Sequence, residues 1–345
     1  MDKEYSLTTD SELASTSTKS HSGGRVIASE FKPSWLLQNR HLQTVFPNII
    51  YPGPLPPLRR ERLELPDGDF VDVDWTLGTR GPIIIVLHGL EGSTRSHYAA
   101  RLLRRLHRLG LRAALPHFRG CSGEPNRLPI GYHSGYTQDL EYFTQLLKRR
   151  EPQTLLAAVG YSLGGSVLLK WLGESPNSRR LQTAVAVSVP FDLSVAAETV
   201  EHGMSQIYKW NLLGSMRRSS LRKFRRVQAP FPLPDIHKLR SFRTFDNALT
   251  APLHGFRDAD DYYMTCSSRQ YLKNIRVPTL ILHSSDDPLM TPASVPRADE
   301  LSPAVTLELS HKGGHVGFVT GSLLRPNMWL RDRISRYLLQ TLPRT

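Results

Sequence analysis

The residues best suited to chemistry lie in Gly160-Tyr161-Ser162-Leu163-Gly164-Gly165. This run follows the apolar, strand-like Thr154–Val159 and precedes the helix-like Ser166–Leu172. A serine at such a junction sits on a sharp turn that presents its hydroxyl as a nucleophile. The turn needs small neighbours, which Gly160 and Gly164 supply, and Gly165 lets the helix start close to the strand. The helix start also offers N–H groups and a positive dipole end to developing negative charge. Over five residues a glycine-rich helix start with a capping serine reads the same way. The flanking strand and helix favour a nucleophile.

A serine needs a base, and the base needs a third group to orient it. Thr279–Leu282 reads as a strand running into His283-Ser284-Ser285-Asp286-Asp287-Pro288. Carboxylates at the C-terminal ends of such strands face the site crevice. Asp287 is the expected orienting acid, with Asp286 as the alternative or as a cap of the turn. The strand Val305–Leu309 leads to Ser310-His311-Lys312-Gly313-Gly314-His315-Val316-Gly317. Glycines on both sides of His315 suit a loop that carries an imidazole over the sheet, so His315 is the expected base. His311, beside Lys312, reads as a surface residue. The chain order Ser, Asp, His, each at a strand end, supports the set. Ile84–Leu87 runs into His88-Gly89-Leu90-Glu91-Gly92-Ser93. The backbone N–H groups of Leu90 and Leu163 are the expected oxyanion donors, with His88 holding the loop. Such a constellation predicts acyl chemistry through an acyl-serine, by hydrolysis or by transfer to another alcohol or amine.

The elements that must place these residues alternate along the chain. Arg62–Leu65 and Phe70–Thr76 read as a hairpin around Pro66-Asp67-Gly68. Ile83–Leu87, Leu111–Leu115, Thr154–Val159, Thr183–Val189, Val277–Leu282 and Val305–Leu309 are apolar runs typical of strands covered on both faces. Between the first two, Tyr98, Leu102, Leu106 and Leu109 form one helical stripe, with Arg101, Arg104, Arg105 and Arg108 elsewhere. A terminal helix carries Leu330, Ile334, Tyr337 and Leu338. This alternation predicts an α/β fold, a mostly parallel sheet with helices on both faces. Residues 191 to about 265 break the rhythm and read as a cap or lid insertion.

Composition bounds the rest. The 345 residues carry a net charge of +13, of which residues 208–243 hold +9, so the basic character belongs largely to the insertion. No nucleic-acid-binding motif accompanies it, so no nucleic acid is expected, although a basic protein without turnover that binds anionic surfaces is the alternative class. Residues 1–24, with ten Ser or Thr, read as a disordered polar tail, and 25–345 as the folded domain. No apolar run approaches the roughly 20 residues of a membrane span. Cys121 and Cys266 cannot make a disulfide framework or a four-cysteine zinc site. A cytoplasmic location is expected, without cofactor or metal. Cys121 reads as packing, Arg119, Glu124 and Asn126 as a structural ion-pair loop, and Tyr262 and Tyr263 as core or pocket wall.

Taken together, His88-Gly89, Gly160–Gly164, Asp287 and His315 resemble the α/β-hydrolase fold, and longer runs narrow the likeness to the YheT-like esterases. Those runs are Pro33-Ser34-Trp35-Leu36-Leu37-Gln38-Asn39-Arg40-His41-Leu42-Gln43-Thr44, then His117 to Arg127 with Tyr132-His133-Ser134-Gly135, then Asp246 through Gly255-Phe256, Asp261, Tyr262-Tyr263, Ser267 and Pro278 to Asp286-Asp287. The resemblance covers roughly 31–339 and implies a serine carboxylic-ester hydrolase for small acyl esters of short to medium chain, including acylglycerols or phospholipids. It also implies that the insertion sits over the nucleophile. Trp210, Leu212, Leu213, Leu221 and Phe224 are then expected to face the acyl pocket. Arg217, Arg218, Arg222, Lys223, Arg225 and Arg226 would face solvent or an anionic membrane surface.

Overall fold

The structure, a computed structural model, describes residues 23–50, 53–78, 81–322 and 325–343. Nearly all of the expected polar tail therefore lies outside the described residues. Among the described residues nine strands form one sheet: β1 (Arg25–Ala28), β2 (Leu58–Glu64), β3 (Phe70–Thr76), β4 (Ile83–Leu87), β5 (Arg112–Pro116), β6 (Leu156–Tyr161), β7 (Leu181–Val187), β8 (Thr279–Ser284) and β9 (Val305–Ser310). Their order is β1-β9-β8-β7-β6-β4-β5-β3-β2. The β2–β3 and β3–β5 pairs are antiparallel, and the other pairs are parallel.

The apolar runs are continuous because both faces are covered. Along β4, Ile83, Ile85 and Leu87 join one core layer while Ile84 and Val86 join the other. The first layer takes in Phe143 of α3 (Gln138–Arg150) and Val167, Leu168 and Trp171 of α4 (Leu163–Glu174). The second takes in Leu102 and Leu106 of α2 (His97–Arg108), together with Ile334 and Leu338 of the terminal helix Trp329–Thr341. Each such side chain contributes on the order of 2 kcal/mol by leaving water.

The expected hairpin is present, and β2 is longer than its apolar pattern, reaching back to Leu58 opposite Thr76. Two features depart from the sequence reading. Strand β1 pairs with β9 at the sheet edge, and all four of its residues are exposed, so no alternating pattern marked it. Arg101, expected off the buried stripe, is buried instead. Its guanidinium donates to the carbonyls of Pro47 (3.0 Å) and Ile50 (2.8 Å), closing the C-terminal end of a helix at Arg40–Ile49, α1.

Between β7 and β8 the chain forms a helical insertion, here termed the cap, from α5 (Leu193–Thr199), α6 (Gln206–Phe224) and shorter helices reaching Cys266. The cap has its own small core, in which Leu213 packs with Ile236, Leu239, Phe245 and Leu249, with Leu221 against them. That core overturns part of the expectation for α6. Leu213 and Leu221 turn inward to the cap, and Trp210 is 44% exposed, with the Lys209 ammonium 4.7 Å from its ring. Leu212 does line the cavity at Ser162, whereas Phe224 lines a neighbouring one. A 19-residue helix over a sheet must bury a face of its own before any is left for a ligand. Among the described residues no helix is long and apolar enough to cross a membrane.

Candidate active site

Ser162 stands between β6 and α4 with φ 51° and ψ −119°, a conformation costly for a residue with a side chain. Its N–H donates to the Val187 carbonyl of β7 (2.8 Å), and its carbonyl accepts from the Ser166 N–H (3.0 Å). The glycines around it are steric requirements. A Cβ on Gly160 would stand 2.5 Å from the Gly164 carbonyl oxygen, and one on Gly164 would stand 2.4 Å from that of His88. The elbow thus packs backbone on backbone.

His315 arrives on the loop after β9. Its Nε2 lies 3.0 Å from Ser162 Oγ, and its Nδ1 lies 2.8 Å from Asp287 Oδ2. Asp287 is almost wholly buried, and its other oxygen accepts from the Leu289 N–H (2.9 Å). The structure therefore brings Asp287, His315 and Ser162 into one hydrogen-bonded chain. Asp286 serves differently. It accepts from the Gly314 N–H (3.0 Å), anchoring the histidine loop, and burial pushes its carboxyl above the usual range. His311 is exposed and joins none of this.

The loop after β4 carries Leu90, one of the two expected oxyanion donors. The Gly89 N–H is taken by the Tyr98 hydroxyl (2.8 Å) and the Glu91 N–H by that of Tyr132 (2.8 Å). Between them, the Leu90 N–H has no acceptor among the described residues. Glu91 has φ 54°, the left-handed turn that sets this loop. Leu163 opens α4, where N–H groups lack helical partners. Leu90, Leu163, Ser162 and His315 line one cavity. His88 is fully buried, and burial lowers its imidazole to about 3, so it stays neutral. Its Nδ1 lies 2.7 Å from the Gly89 carbonyl, while Nε2 accepts the Phe118 N–H (3.1 Å). It ties two loops together.

Sequence reasoning missed the support behind His315. The His315 N–H donates to Thr44 Oγ1 (2.9 Å), and the Val316 N–H donates to Ser188 Oγ (3.0 Å). Gln43, fully buried, donates to the carbonyls of Leu37 (2.8 Å) and Val319 (3.0 Å) and accepts from the Val319 N–H (2.7 Å). Both side chains come from α1, so the Pro33–Thr44 run buttresses the histidine loop. The run itself was the signal, but no role could be assigned to it.

The rest of the cavity is mostly apolar, with Leu193, Val200, Leu212, Met216, Leu289 and Met290 in its wall. Tyr262 and Tyr263 are buried and also line it. Among its described lining residues Asp246 is the one carboxylate. It opens a π-helical turn, Asp246–Thr250, and accepts from Thr250 Oγ1 (2.6 Å) and the Tyr263 hydroxyl (2.7 Å). Burial pushes its carboxyl up to about 6. Arg119 bonds Asp67 (2.7 Å) and Asp139 (2.7 Å), and Glu124 bonds Arg62 (2.8 Å), so both hold loops. Asn126 donates to Asp69 and does the same. Cys121 packs half-buried against the core, and burial raises its thiol. The expectation that Lys223 faces solvent fails, because its ammonium donates to the Ile130 carbonyl (2.6 Å). Arg222 lines the same neighbouring cavity.

Comparison with known proteins extends this geometry. Residues 82–322 match a family model described as the alpha/beta hydrolase fold. The chain is 41% identical over 317 residues to the Escherichia coli (strain K12) protein named "Putative esterase YheT", covering 90% of this chain and 93% of that one. It is 28% identical over 330 residues to "Phospholipase ABHD3" of Mus musculus, covering 92% of this chain and 80% of the relative. A solved structure of the Pyrococcus furiosus esterase Pf2001 superposes with a TM-score of 0.56 at 14% identity, covering 93% of this chain and 97% of that one. The parallel sheet, the strand-end loops that meet at Ser162 and these matches lead to one family. The chain belongs to the alpha/beta hydrolase fold family.

Proposed function

We propose that this protein is a serine ester hydrolase acting on small acyl esters of short to medium chain. The observation that carries the reading is the unbroken Asp287–His315–Ser162 chain opening onto an apolar cavity. Ser162 Oγ attacks the acyl carbon while His315 Nε2 takes its proton. The negative charge that develops on the carbonyl oxygen is met by the N–H groups of Leu90 and Leu163. His315 then gives its proton to the departing alcohol, leaving the acyl group on Ser162. Water, deprotonated by the same nitrogen, releases the acid and restores the hydroxyl. Asp287 keeps the imidazole oriented and stabilises its charged form throughout. The apolar wall suits the acyl chain, and the names of the relatives, an esterase and a phospholipase, support an ester as substrate.

The test is labelling by a fluorophosphonate together with hydrolysis of p-nitrophenyl butyrate. Both are expected from the intact chain. Ser162→Ala should abolish labelling and lower kcat by about 10⁴-fold or more. A folded Ser162→Ala variant with near-normal turnover would refute the reading.

A further inference from the structure

Beside the cavity at Ser162 lies a second one of different character. The two share Leu90, Tyr132, Met216 and Thr250 in their walls, so a bound ester could extend from one into the other. The first wall is mostly apolar. The second is closed by the last turns of α6, which bring Arg222 and Lys223 over the loop from Pro125 to Tyr132.

The cations of this second cavity are unevenly paired. Neither Arg222 nor Lys223 has a carboxylate partner among the described residues. The Lys223 ammonium is tied only to the neutral Ile130 carbonyl (2.6 Å), and burial lowers it to about 7. Arg119 also reaches this wall, but Asp67, Asp69 and Asp139 already neutralise it. Among the described lining residues the one carboxylate, Glu91, accepts from the hydroxyls of Ser219 and Tyr132. Asp69 favours the Lys223 ammonium from a distance without contacting it. A half-buried cation with no direct ion pair is costly to maintain, and an anion from a ligand would relieve that cost. A phosphoryl or carboxyl group accepts readily from guanidinium and ammonium donors.

We infer that this cavity binds an anionic group, phosphoryl or carboxyl, carried on the alcohol side of the ester cleaved at Ser162. The inference rests on the ester-hydrolase reading and names its substrate class. The acyl chain occupies the apolar cavity, and the charged part of the leaving alcohol occupies the basic one. Arg222 is itself exposed at the rim of the cavity, whereas Arg225 and Arg226, further along the same basic run, are exposed and outside its wall. They provide the control.

Two measurements on the full chain test the site. In the first, glycerol 3-phosphate is titrated calorimetrically onto the protein, with glycerol as the neutral comparison. Binding of the phosphate alone is expected, weakened tenfold or more in Lys223→Met and in Arg222→Met and kept in Arg226→Met. In the second, kcat/KM is compared for 1-butyrylglycerol 3-phosphate and 1-butyrylglycerol. A preference of tenfold or more for the phosphate ester is expected, collapsing toward one in Lys223→Met and retained in Lys223→Arg. Phosphatidate vesicles in place of the soluble ester tell a lipid headgroup from a free phosphate ester. A Lys223-dependent preference seen only with vesicles assigns the site to a lipid. Equal turnover of both soluble esters, with no glycerol 3-phosphate binding and no Lys223-dependent vesicle preference, would overturn the anion site and leave the Ser162 reading intact. Phosphate binding with no turnover of any ester would keep the anion site and remove ester hydrolysis.

Discussion

The strand ends and the cap above them are built by opposite rules. At the strand ends the proposed nucleophile and its turn are held by backbone. Ser162 is pinned through its own amide to β7, Gly164 packs against the His88 carbonyl, and Gly160 packs against that of Gly164. The cap rests on side chains. It has a small core around Leu213 and reaches the domain through such bonds as Ser205 to the Pro288 carbonyl (2.6 Å) and Lys223 to that of Ile130 (2.6 Å). Backbone packing tolerates almost no substitution, because any added atom meets main chain. Side-chain lashings can be exchanged one at a time, so a cap can change what it accepts while the chemistry below stays the same. The bond from Ser205 to Pro288 and that from the Ser219 hydroxyl to Glu91 land on loops of the site itself, since Pro288 follows Asp287 and Glu91 follows Leu90. Cap and site are therefore neighbours in structure although separate in construction.

Substitutions can break or sharpen that contrast. The largest effect belongs at the strand ends. His315→Ala should reduce kcat by about 10⁴-fold or more on p-nitrophenyl butyrate, while His311→Ala stays within about twofold. Equal, mild losses would place the base elsewhere. Next, Asp287→Asn should cost about 10³- to 10⁴-fold, because an amide leaves the imidazole in the wrong tautomer. Asp286→Asn should cost far less, since it touches the loop through Gly314 and not the ring. A reversed order would move the acid to Asp286.

Asp246 tests the cavity wall by pH. Its carboxyl is raised from an unfolded value of about 3.9 to about 6, so the folded state prefers it protonated. Its contribution is fully present below pH 4 and is lost as pH rises through 6, on the order of 2–3 kcal/mol in all. Asp246→Asn should remove that part of the slope in Tm between pH 4 and 7. An unchanged slope would show the carboxylate to be ionised throughout.

Smaller effects follow from the supports. Thr44→Val deletes the acceptor for the His315 N–H and should lower kcat about tenfold with little change in KM, the mark of a misplaced base. A change confined to KM would refute that role. At the cap, Leu212→Ala should shift the preferred acyl length by one or two carbons and alter kcat/KM by a few-fold. The same shift produced by Trp210→Ala would mean that the exposed indole also reaches the acyl chain.

Several of these residues could be read from local pattern. Ser162 is conspicuous because a strand, a serine between glycines and a helix occur in succession. Asp287 and His315 follow from strand ends. Others left no local trace. β1 has neither alternation nor burial, being paired only along an edge. Arg101 lies off the apolar stripe of α2 yet is buried, because the carbonyls at the end of α1 need donors. Trp210 reads as a pocket residue by hydrophobicity and is exposed instead.

What the sequence determined by itself was whatever short-range stereochemistry dictates: alternating strands and helices, a turn only glycines can flank, and an insertion that interrupts the rhythm. Tertiary structure decided the rest. It set which of two adjacent aspartates faces the imidazole, since neighbours in a turn point in different directions. It brought Thr44 to His315 across 271 positions of chain. It turned Lys223 toward a carbonyl and a cavity instead of solvent. These outcomes depend on contacts between residues far apart in the chain, and hydrophobic periodicity, which reports only a face, carries no record of what that face will meet.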